Sequence, residues 1–330
     1  MKRFLGYFAA SILIVFCLHG LLFISFLVIC SNTNNELYTT HLNKWNFAES
    51  INKPKLLVIG GSNVKYNFST EMISKEIEIP SINLGNYAPI IIPYMLDQWI
   101  PLVREGDIIL LPLEYGVYKQ SKAINWDILY YVSKVNVDWL FASYQRFLEA
   151  LFSCNVENLL IGTCKEFVHL IKPDNVMVFS DKPSEFFDIK GTHPDNMTNG
   201  MHNKLSLILN ENLPRSPYTY SFSNEAREVL TKFITECHQR KATVVLTYPG
   251  TFYYKSYQET AFQDFIVEIG DFARDLGVPI IGTPENFLFS DKGLFWDTNY
   301  HLNQRGRDIA TERMIALLKD FLKKHSNKSE

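Results

Sequence analysis

The chain carries little net charge and no concentrated basic segment. Its 330 residues contain 32 Lys and Arg against 35 Asp and Glu, which gives a formal net charge of -3. Zinc-knuckle spacing and the aromatic motifs of RNA-binding domains are also missing from the sequence. Because nucleic-acid binding depends on clustered cations that neutralise phosphates, this composition argues against a nucleic-acid partner.

Patterns that bind metals or cofactors are scarce as well. His193 and His202 lie in a polar segment, but neither helical nor Cys/His spacing relates them, so we interpret them as ordinary loop histidines. The sequence predicts neither a metal ion nor an organic cofactor.

Cysteine is rare, with five residues in the chain. Cys17 and Cys30 belong to an N-terminal apolar stretch, and Cys237 lies in a helical pattern. Cys154 and Cys164 bracket a short segment. These two cysteines could form a disulfide if the segment lies outside the membrane. Two free buried thiols fit the sequence equally well.

One long apolar run is present, from Leu5 to Cys30. Roughly 20 such residues are enough to span a bilayer as a helix, whereas the apolar core of a cleaved signal peptide is usually only ~7–15 residues long. The run therefore favours an uncleaved membrane anchor. Since Lys2 and Arg3 precede it, the positive-inside rule predicts a cytoplasmic N-terminus, with everything after Ser31 outside.

Beyond the anchor, short apolar runs alternate with helical patterns. Their order predicts a flavodoxin-like three-layer α/β/α fold with a mainly parallel five-stranded sheet. The five predicted strands are Leu56 to Ile59, Ser81 to Leu84, Asp107 to Leu113, Thr243 to Tyr248 and Pro279 to Ile281. Helices are predicted from Tyr257 to Leu276 and from Arg305 to Leu322.

The alternation of strand and helix patterns is interrupted in the middle of the chain. We expect an anchor at 1–31, a linker at 32–54 and one α/β domain at 55–330, with a helical cap insertion at about 119–220. The hydrophobic content of 47% is ample for one core of this size.

Two short stretches at opposite ends of the predicted domain carry candidate catalytic residues. Gly60-Gly61-Ser62-Asn63 directly follows the first strand and leads into a predicted helix. At such a turn glycines allow a sharp bend, and backbone N–H groups can hold an oxyanion beside an exposed hydroxyl. The alternative interpretation is that Ser62 simply caps a helix.

The second stretch, Asp297 to Asn303, precedes the last predicted helix. A histidine in such a loop can act as a general base when an upstream carboxylate orients its ring, which suggests His301 with Asp297. Taken alone, His301 is equally compatible with a solvated surface loop.

Together with Asn83-Leu84-Gly85 after the second strand, these stretches resemble the SGNH, or GDSL-like, hydrolase superfamily. The resemblance covers roughly residues 55–114 and 243–322. It implies that Ser62 is the nucleophile, that Gly85 and the serine's own N–H help form the oxyanion hole, and that Asp297 and His301 complete the triad.

Three positions differ from the usual pattern of that superfamily. Gly61 stands where an Asp is usual, Glu114 follows the third strand where an Asn is expected, and Asp297 lies four residues before His301 instead of three. The missing polar contact could come from Asn63, Asn83 or Glu114. Asn299 is a second candidate for orienting the imidazole.

Such variation is typical of the envelope-polysaccharide branch of the superfamily. That branch includes membrane-anchored proteins of alginate O-acetylation and of D-alanyl transfer to teichoic acid. The resemblance thus implies a serine esterase or O-acyltransferase acting on acylated cell-envelope or exported polysaccharide, with a multispanning acyltransferase as a further partner. The alternative is a noncatalytic accessory or binding subunit of a polysaccharide biosynthesis complex.

Overall fold

The computed structural model describes residues 2–33, 36–86, 90–171, 205–213 and 220–326. The chain divides into two compact units. We call Met1–Leu42 with Ala123–Phe179 the helical unit, and Asn43–Lys122 with Ser180–Glu330 the sheet unit. His193, His202 and the predicted polar segment that contains them lie outside the described residues.

The sheet unit is a three-layer α/β/α fold built on a parallel sheet. Four strands form the sheet in the order β2-β1-β3-β4, and every pairing is parallel. Their bounds are Leu56–Gly60 (β1), Ser81–Gly85 (β2), Ile108–Pro112 (β3) and Thr243–Thr247 (β4). The central strand β1 is buried along its whole length, which explains why it reads as a continuous apolar run.

The fifth predicted strand is present as a single bridge. Leu246 in β4 pairs in parallel with Ile280, and the Leu246 N–H donates to the Pro279 carbonyl at 2.9 Å. A separate two-stranded parallel sheet, which the sequence does not predict, joins Thr251–Phe252 (β5) to Leu288–Phe289 (β6). The sheet therefore has four full strands, with the predicted fifth attached at the β4 edge.

Helices surround the sheet. Their bounds are Glu36–Ser50 (α2), Ser62–Asn67 (α3), Thr70–Ile77 (α4), Ile92–Asp97 (α5), Leu205–Ile208 (α10), Asn224–Gln239 (α11), Thr260–Asp275 (α12) and Gln304–Ser326 (α13). Short 3-10 turns lie at Ile100–Leu102, Tyr115–Lys119, Lys255–Gln258, Pro284–Phe287 and Lys292–Leu294.

Local sequence signals account for several of these helices. Ser69 caps α4 and Ser223 caps α11 through side-chain hydrogen bonds to backbone N–H groups. Leu230, Phe233 and Cys237 recur at helical spacing on α11 and are buried, as an amphipathic helix on a sheet requires. The segment predicted as a linker, 32–54, contains helix α2.

A buried ion pair joins the amino-terminal ends of the two central strands. Lys55 precedes β1, Asp107 precedes β3, and the Lys55 Nζ lies 2.7 Å from the Asp107 Oδ2. The backbone N–H groups of Lys55 and Arg104 also donate to the Asp107 carboxylate. Since both charges are fully buried, their mutual contact offsets the cost of removing them from water.

The helical unit contains the N-terminal apolar helix and the helices that follow the third strand. Their bounds are Lys2–Ser31 (α1), Trp126–Val135 (α6), Asp138–Phe141 (α7), Tyr144–Ser153 (α8) and Val156–Ile171 (α9). Helix α1 is long and apolar enough to cross a membrane from Arg3 to Ser31. His19, a polar residue within that stretch, contacts the Leu151 carbonyl at 2.9 Å.

All five cysteines are free, so the possible Cys154–Cys164 disulfide does not form. Cys154 is buried and its thiol donates to the Ala150 carbonyl, whereas Cys164 faces outward on α9. Cys154 lies in the turn that follows α8, whereas Cys164 lies within α9. Whether 119–220 acts as a cap over the candidate site stays a prediction.

Candidate active site

The candidate nucleophile stands at the carboxyl end of the central strand. Strand β1 ends at Gly60, Gly61 is the N-cap of α3, and Ser62 is the first residue of that helix. Ser62 is almost buried, with 4% of its surface exposed. As the first helical residue it has no acceptor within the helix for its N–H, so this donor is available at the strand end.

Two hydrogen bonds connect this serine to the histidine and the aspartate of the second stretch. The Ser62 Oγ lies 2.8 Å from the His301 Nε2, and the His301 Nδ1 lies 2.6 Å from the Asp297 Oδ1. An ionised carboxylate only accepts hydrogen bonds, so the Nδ1 atom carries the ring proton and donates it to Asp297. The Nε2 lone pair then accepts the Ser62 hydroxyl, which is the arrangement that a general base needs.

Glu114 approaches the same serine from the end of β3. Its Oε1 lies 3.3 Å from the Ser62 Oγ and accepts the Asn63 N–H at 3.0 Å. Burial raises the pKa of the Glu114 carboxyl above its usual range, although the Asn63 N–H, the nearby His301 and the Ser62 hydroxyl act in the opposite direction. The Ser62 hydroxyl proton thus has two acceptors within reach, the His301 Nε2 at 2.8 Å and the Glu114 Oε1 at 3.3 Å, and the shorter contact is the one that a general base needs.

Asn83 and Gly85 hold helix α3 against β2. The Asn83 amide donates to the carbonyls of Val64 and Phe68 at 2.8 and 3.1 Å, and its oxygen accepts the Gly85 N–H at 3.0 Å. A Cβ atom at Gly85 would lie 2.3 Å from the backbone nitrogen of Lys65. Gly85 therefore permits close packing of strand and helix, and its N–H is bound internally.

Asn63 is directed away from the hydroxyl by a backbone contact. Its Nδ2 donates to the Pro112 carbonyl at 2.7 Å, which links α3 to the end of β3. Of the three residues considered for the missing polar contact, Glu114 is the one whose side chain reaches the Ser62 Oγ.

Asn67 positions the histidine loop, and sequence reasoning missed it. This fully buried side chain donates to the Gly250 carbonyl at 2.9 Å and accepts the Leu302 N–H at 2.8 Å. Leu302 directly follows His301, so Asn67 ties the loop to the helix that begins with Ser62. A polar residue five positions after the serine carries no signal in one sequence, because its burial depends on the distant loop.

Aromatic rings surround the imidazole. The Tyr66 ring lies 4.3 Å from the His301 ring between centroids, and Trp296 lies 6.4 Å from it. The Trp296 N–H donates to the His301 carbonyl at 2.9 Å. These contacts restrict the ring orientation that the two hydrogen bonds require.

Asn299, the second candidate for orienting the imidazole, and Thr247, the last residue of β4, both have structural contacts. The Asn299 side chain donates to the Thr251 hydroxyl at 3.4 Å, and Asp297 is the residue that contacts the imidazole. The Thr247 hydroxyl donates to the Ile281 carbonyl at 2.8 Å, which ties β4 to the fifth-strand segment. Among the residues that the structure describes, no group of three or more His, Cys, Asp or Glu side chains could hold a metal ion.

A comparison with protein-family models finds no match, and no curated protein matches the chain. Among solved structures, the chain is similar to the protein YxiM from Bacillus subtilis, with 12% identity and a TM-score of 0.36. That likeness covers 82% of this chain and spans 57% of the other. The chemistry assigned to the site therefore depends on the geometry of its own residues.

Proposed function

We propose that the chain is a membrane-anchored serine esterase or O-acyltransferase of the SGNH type. The observation that supports this most directly is the unbroken connection from the Ser62 Oγ through the His301 imidazole to Asp297, with contacts of 2.8 and 2.6 Å. A hydroxyl, a base and an orienting carboxylate in this order are the groups that acyl transfer through a serine requires.

In the first step the Ser62 oxygen attacks the acyl carbonyl carbon while the His301 Nε2 takes the hydroxyl proton. The C–O bond to the leaving alcohol then breaks, and His301 returns its proton to that alcohol. Asp297 stabilises the imidazolium that exists between the two transfers. The product of this step is an acyl ester on Ser62.

Charge develops on the carbonyl oxygen during the attack, and two donors are suited to hold it. The Ser62 N–H has no intrahelical acceptor, and Glu114, whose protonated form burial favours, supplies an O–H beside the Ser62 Oγ when it is neutral. The resemblance assigns this role to Gly85, but in this conformation the Gly85 N–H donates to Asn83. Glu114 thus takes the place of the Asn amide expected after the third strand.

In the second step an acceptor oxygen attacks the carbonyl carbon of the acyl ester while His301 takes its proton. The C–O bond to Ser62 then breaks, and His301 returns the proton to the Ser62 oxygen. Water gives hydrolysis, whereas a sugar hydroxyl gives transfer. An acylated cell-envelope or exported polysaccharide is the proposed substrate. The support is the resemblance to the envelope-polysaccharide branch, together with an N-terminal helix that could hold the site at an extracytoplasmic membrane surface.

The proposal extends to a partner. A multispanning membrane acyltransferase that delivers acyl groups across the bilayer would supply the donor for transfer. Co-purification of the full chain without such a protein would count against that part of the proposal.

Labelling with a serine-directed fluorophosphonate tests the chemistry. We expect the full chain to form an adduct that Ser62→Ala and His301→Ala abolish. Ser153→Ala, which changes an exposed serine on α8, serves as the matched control and should label like the wild type. Hydrolysis of a chromogenic acetate ester with and without added sugar acceptor then separates water from alcohol as the second substrate.

If correctly folded wild type gives no adduct that depends on Ser62, the catalytic proposal is wrong. That result would favour the noncatalytic accessory subunit.

A further inference from the structure

Helices α8 and α9 form a hairpin that packs lengthwise along the second half of α1. The Phe147 ring lies 5.7 Å from the Phe23 ring, and the Phe152 ring lies 5.8 Å from the Phe16 ring. As α8 runs from residue 147 to residue 152, its contacts on α1 shift from Phe23 back to Phe16. Helix α8 therefore runs antiparallel to α1.

Helix α9 returns in the opposite direction. A Cβ atom at Gly162 would lie 2.9 Å from the Phe26 ring and 2.8 Å from the Trp126 ring, so Gly162 stands at the level of Phe26. The turn between the two helices, Cys154 and Asn155, consequently lies close to the level of Phe16. We call residues 152–156 the tip of the α8–α9 hairpin.

The outward side of the hairpin near its tip is apolar. Phe152 is 63% exposed and Ile161 is 60% exposed, which is high for large apolar side chains. The exposed apolar residues of this part of the hairpin are Phe152, Val156, Leu160 and Ile161. This surface is continuous with α1, whose apolar side chains at Ile12, Leu13 and Phe16 are also exposed.

The length of α1 determines how deeply the tip would lie in the membrane. Its 30 residues extend about 45 Å at ~1.5 Å per residue. Since the hydrocarbon core is about 30 Å thick, roughly ten residues project beyond it. Lys2 and Arg3 favour the membrane surface at the start of the helix, so the excess lies at its other end.

This placement puts the far boundary of the hydrocarbon core near Phe23. The exposure of the α1 side chains agrees with this boundary. Residues from Arg3 to Leu18 are exposed, whereas Phe23 and Phe26 pack inside the helical unit. The tip, at the level of Phe16, then lies about 10 Å inside the boundary. That depth is typical of elements that insert into one leaflet without spanning it.

Charges and aromatic rings fit the same placement. Glu149 and Glu157, the exposed acids that flank the tip, lie nearer the membrane boundary than Phe152 does, which shortens the distance from their carboxylates to the headgroups. Trp126 and Tyr130 pack on Phe26, with ring centroids 5.0 and 6.2 Å away. Trp and Tyr are the residues enriched at the membrane–water interface.

We propose that the tip of the α8–α9 hairpin inserts into the leaflet beside the anchor, where phospholipid acyl chains cover Phe152 and Val156. This inference rests on the membrane anchoring proposed above and is independent of the chemistry at Ser62. A second contact with the bilayer holds the helical unit at the membrane surface instead of leaving it on a single pivoting helix.

Depth-dependent fluorescence quenching tests the proposal on the full chain in phosphatidylcholine and phosphatidylglycerol vesicles. The five native cysteines are replaced by Ser, and single cysteines are introduced by Phe152→Cys or Ile161→Cys and labelled with an environment-sensitive fluorophore. Leu13→Cys reports the span itself. Val267→Cys is the matched control, because Val267 is an apolar side chain, 60% exposed, on helix α12 of the sheet unit.

We expect the probe at residue 152 to shift to shorter emission wavelength, to be quenched by spin-labelled acyl chains and to lose quenching by aqueous iodide. The probe at residue 161, near the boundary, should show the same changes to a smaller extent. The probe at residue 267 should show the reverse. If the probe at 152 behaves like that at 267, or is shielded from both quenchers by protein, the proposal is wrong.

Measurements in the same vesicles distinguish this inference from the proposed anchoring and from the proposed chemistry at Ser62. Failure of lipid quenching at residue 13 would refute the anchoring, whereas loss of Ser62-dependent labelling would refute the proposed chemistry. If cysteine replacement disturbs folding, Phe152→Trp against Val267→Trp in the native chain, with brominated lipids as quencher, gives the same comparison.

Discussion

The His301 Nε2 lies 2.8 Å from the Ser62 Oγ, although 239 residues separate the two in sequence. Ser62 is placed by the end of β1, and His301 by a loop that Asn67 ties to the helix beginning at Ser62. The contact between Ser62 and His301 therefore depends on the packing of the sheet unit. The contribution of each residue that supports it can be tested separately.

Replacing Asp297 by Asn should lower kcat by about 10⁴-fold with a smaller effect on KM, because the amide no longer selects the imidazole tautomer that accepts the serine proton. Steady-state hydrolysis of an acetate ester measures this change. Asn299→Ala is the matched control, since Asn299 contacts Thr251 and not the imidazole. Equal losses in both variants would contradict the assignment of Asp297 as the orienting residue.

Glu114→Gln should change the pH dependence of the reaction. Burial raises the pKa of Glu114, so the neutral O–H donor is present below that raised value and is lost as pH rises through it. We expect wild-type kcat/KM to fall as pH rises through that raised pKa, whereas the glutamine amide, which donates at every pH, removes the fall. An unchanged basic limb in the variant would show that another group is responsible.

The same substitution should alter stability in a defined direction. A carboxyl whose pKa is raised in the folded state contributes its full stability below its ordinary pKa and loses it as pH rises through the raised value. Thermal unfolding of the detergent-solubilised full chain should therefore show a loss of wild-type stability toward higher pH that Glu114→Gln reduces. A parallel pH dependence in the two proteins would contradict this explanation.

Asn67→Ala should destabilise the fold by about 1–3 kcal/mol, because it leaves the buried Gly250 carbonyl and Leu302 N–H without their partner. Loss of that tie also frees the His301 loop, so kcat should fall more than KM rises. Chemical denaturation and ester hydrolysis measure the two effects. Asn52→Ala, at an exposed position, is the control and should change neither.

Lys55→Met should destabilise the protein by about 3–5 kcal/mol, because it leaves the buried Asp107 charge without its counter-ion. The exposed pair Lys241 and Glu105 provides the comparison, and Lys241→Met should cost about 0–1 kcal/mol. Denaturant unfolding gives both values. Similar costs at the two positions would show that burial does not govern the contribution of the Lys55 pair.

The strands and the closing helix could be predicted because their signals are local. Leu56 to Ile59 is an apolar run buried on both faces, and the observed strand β1 extends it by one residue. Helix α13 follows the apolar spacing that predicts it, with bounds at Gln304 and Ser326. The helix within the predicted linker was missed because its pattern is weakly amphipathic and polar overall.

The candidate site was predictable in part for the same reason. Ser62 and His301 stand in short motifs whose residue types indicate their chemistry. Asn67 could not be found, and Glu114 could not be chosen over Asn63 or Asn83, because each of these depends on which backbone groups another segment places beside it.

The sequence by itself determined the apolar N-terminal helix and the positions of the strands along the chain. It also determined the candidate serine after the first strand and the candidate histidine before the last helix. These features depend on apolar periodicity and residue type, which act over a few neighbouring positions. Tertiary structure alone decided that Asp297 contacts the imidazole, that Glu114 meets the serine and that Cys154 and Cys164 stay apart. Those outcomes require distances between remote segments, which packing sets and no local pattern encodes.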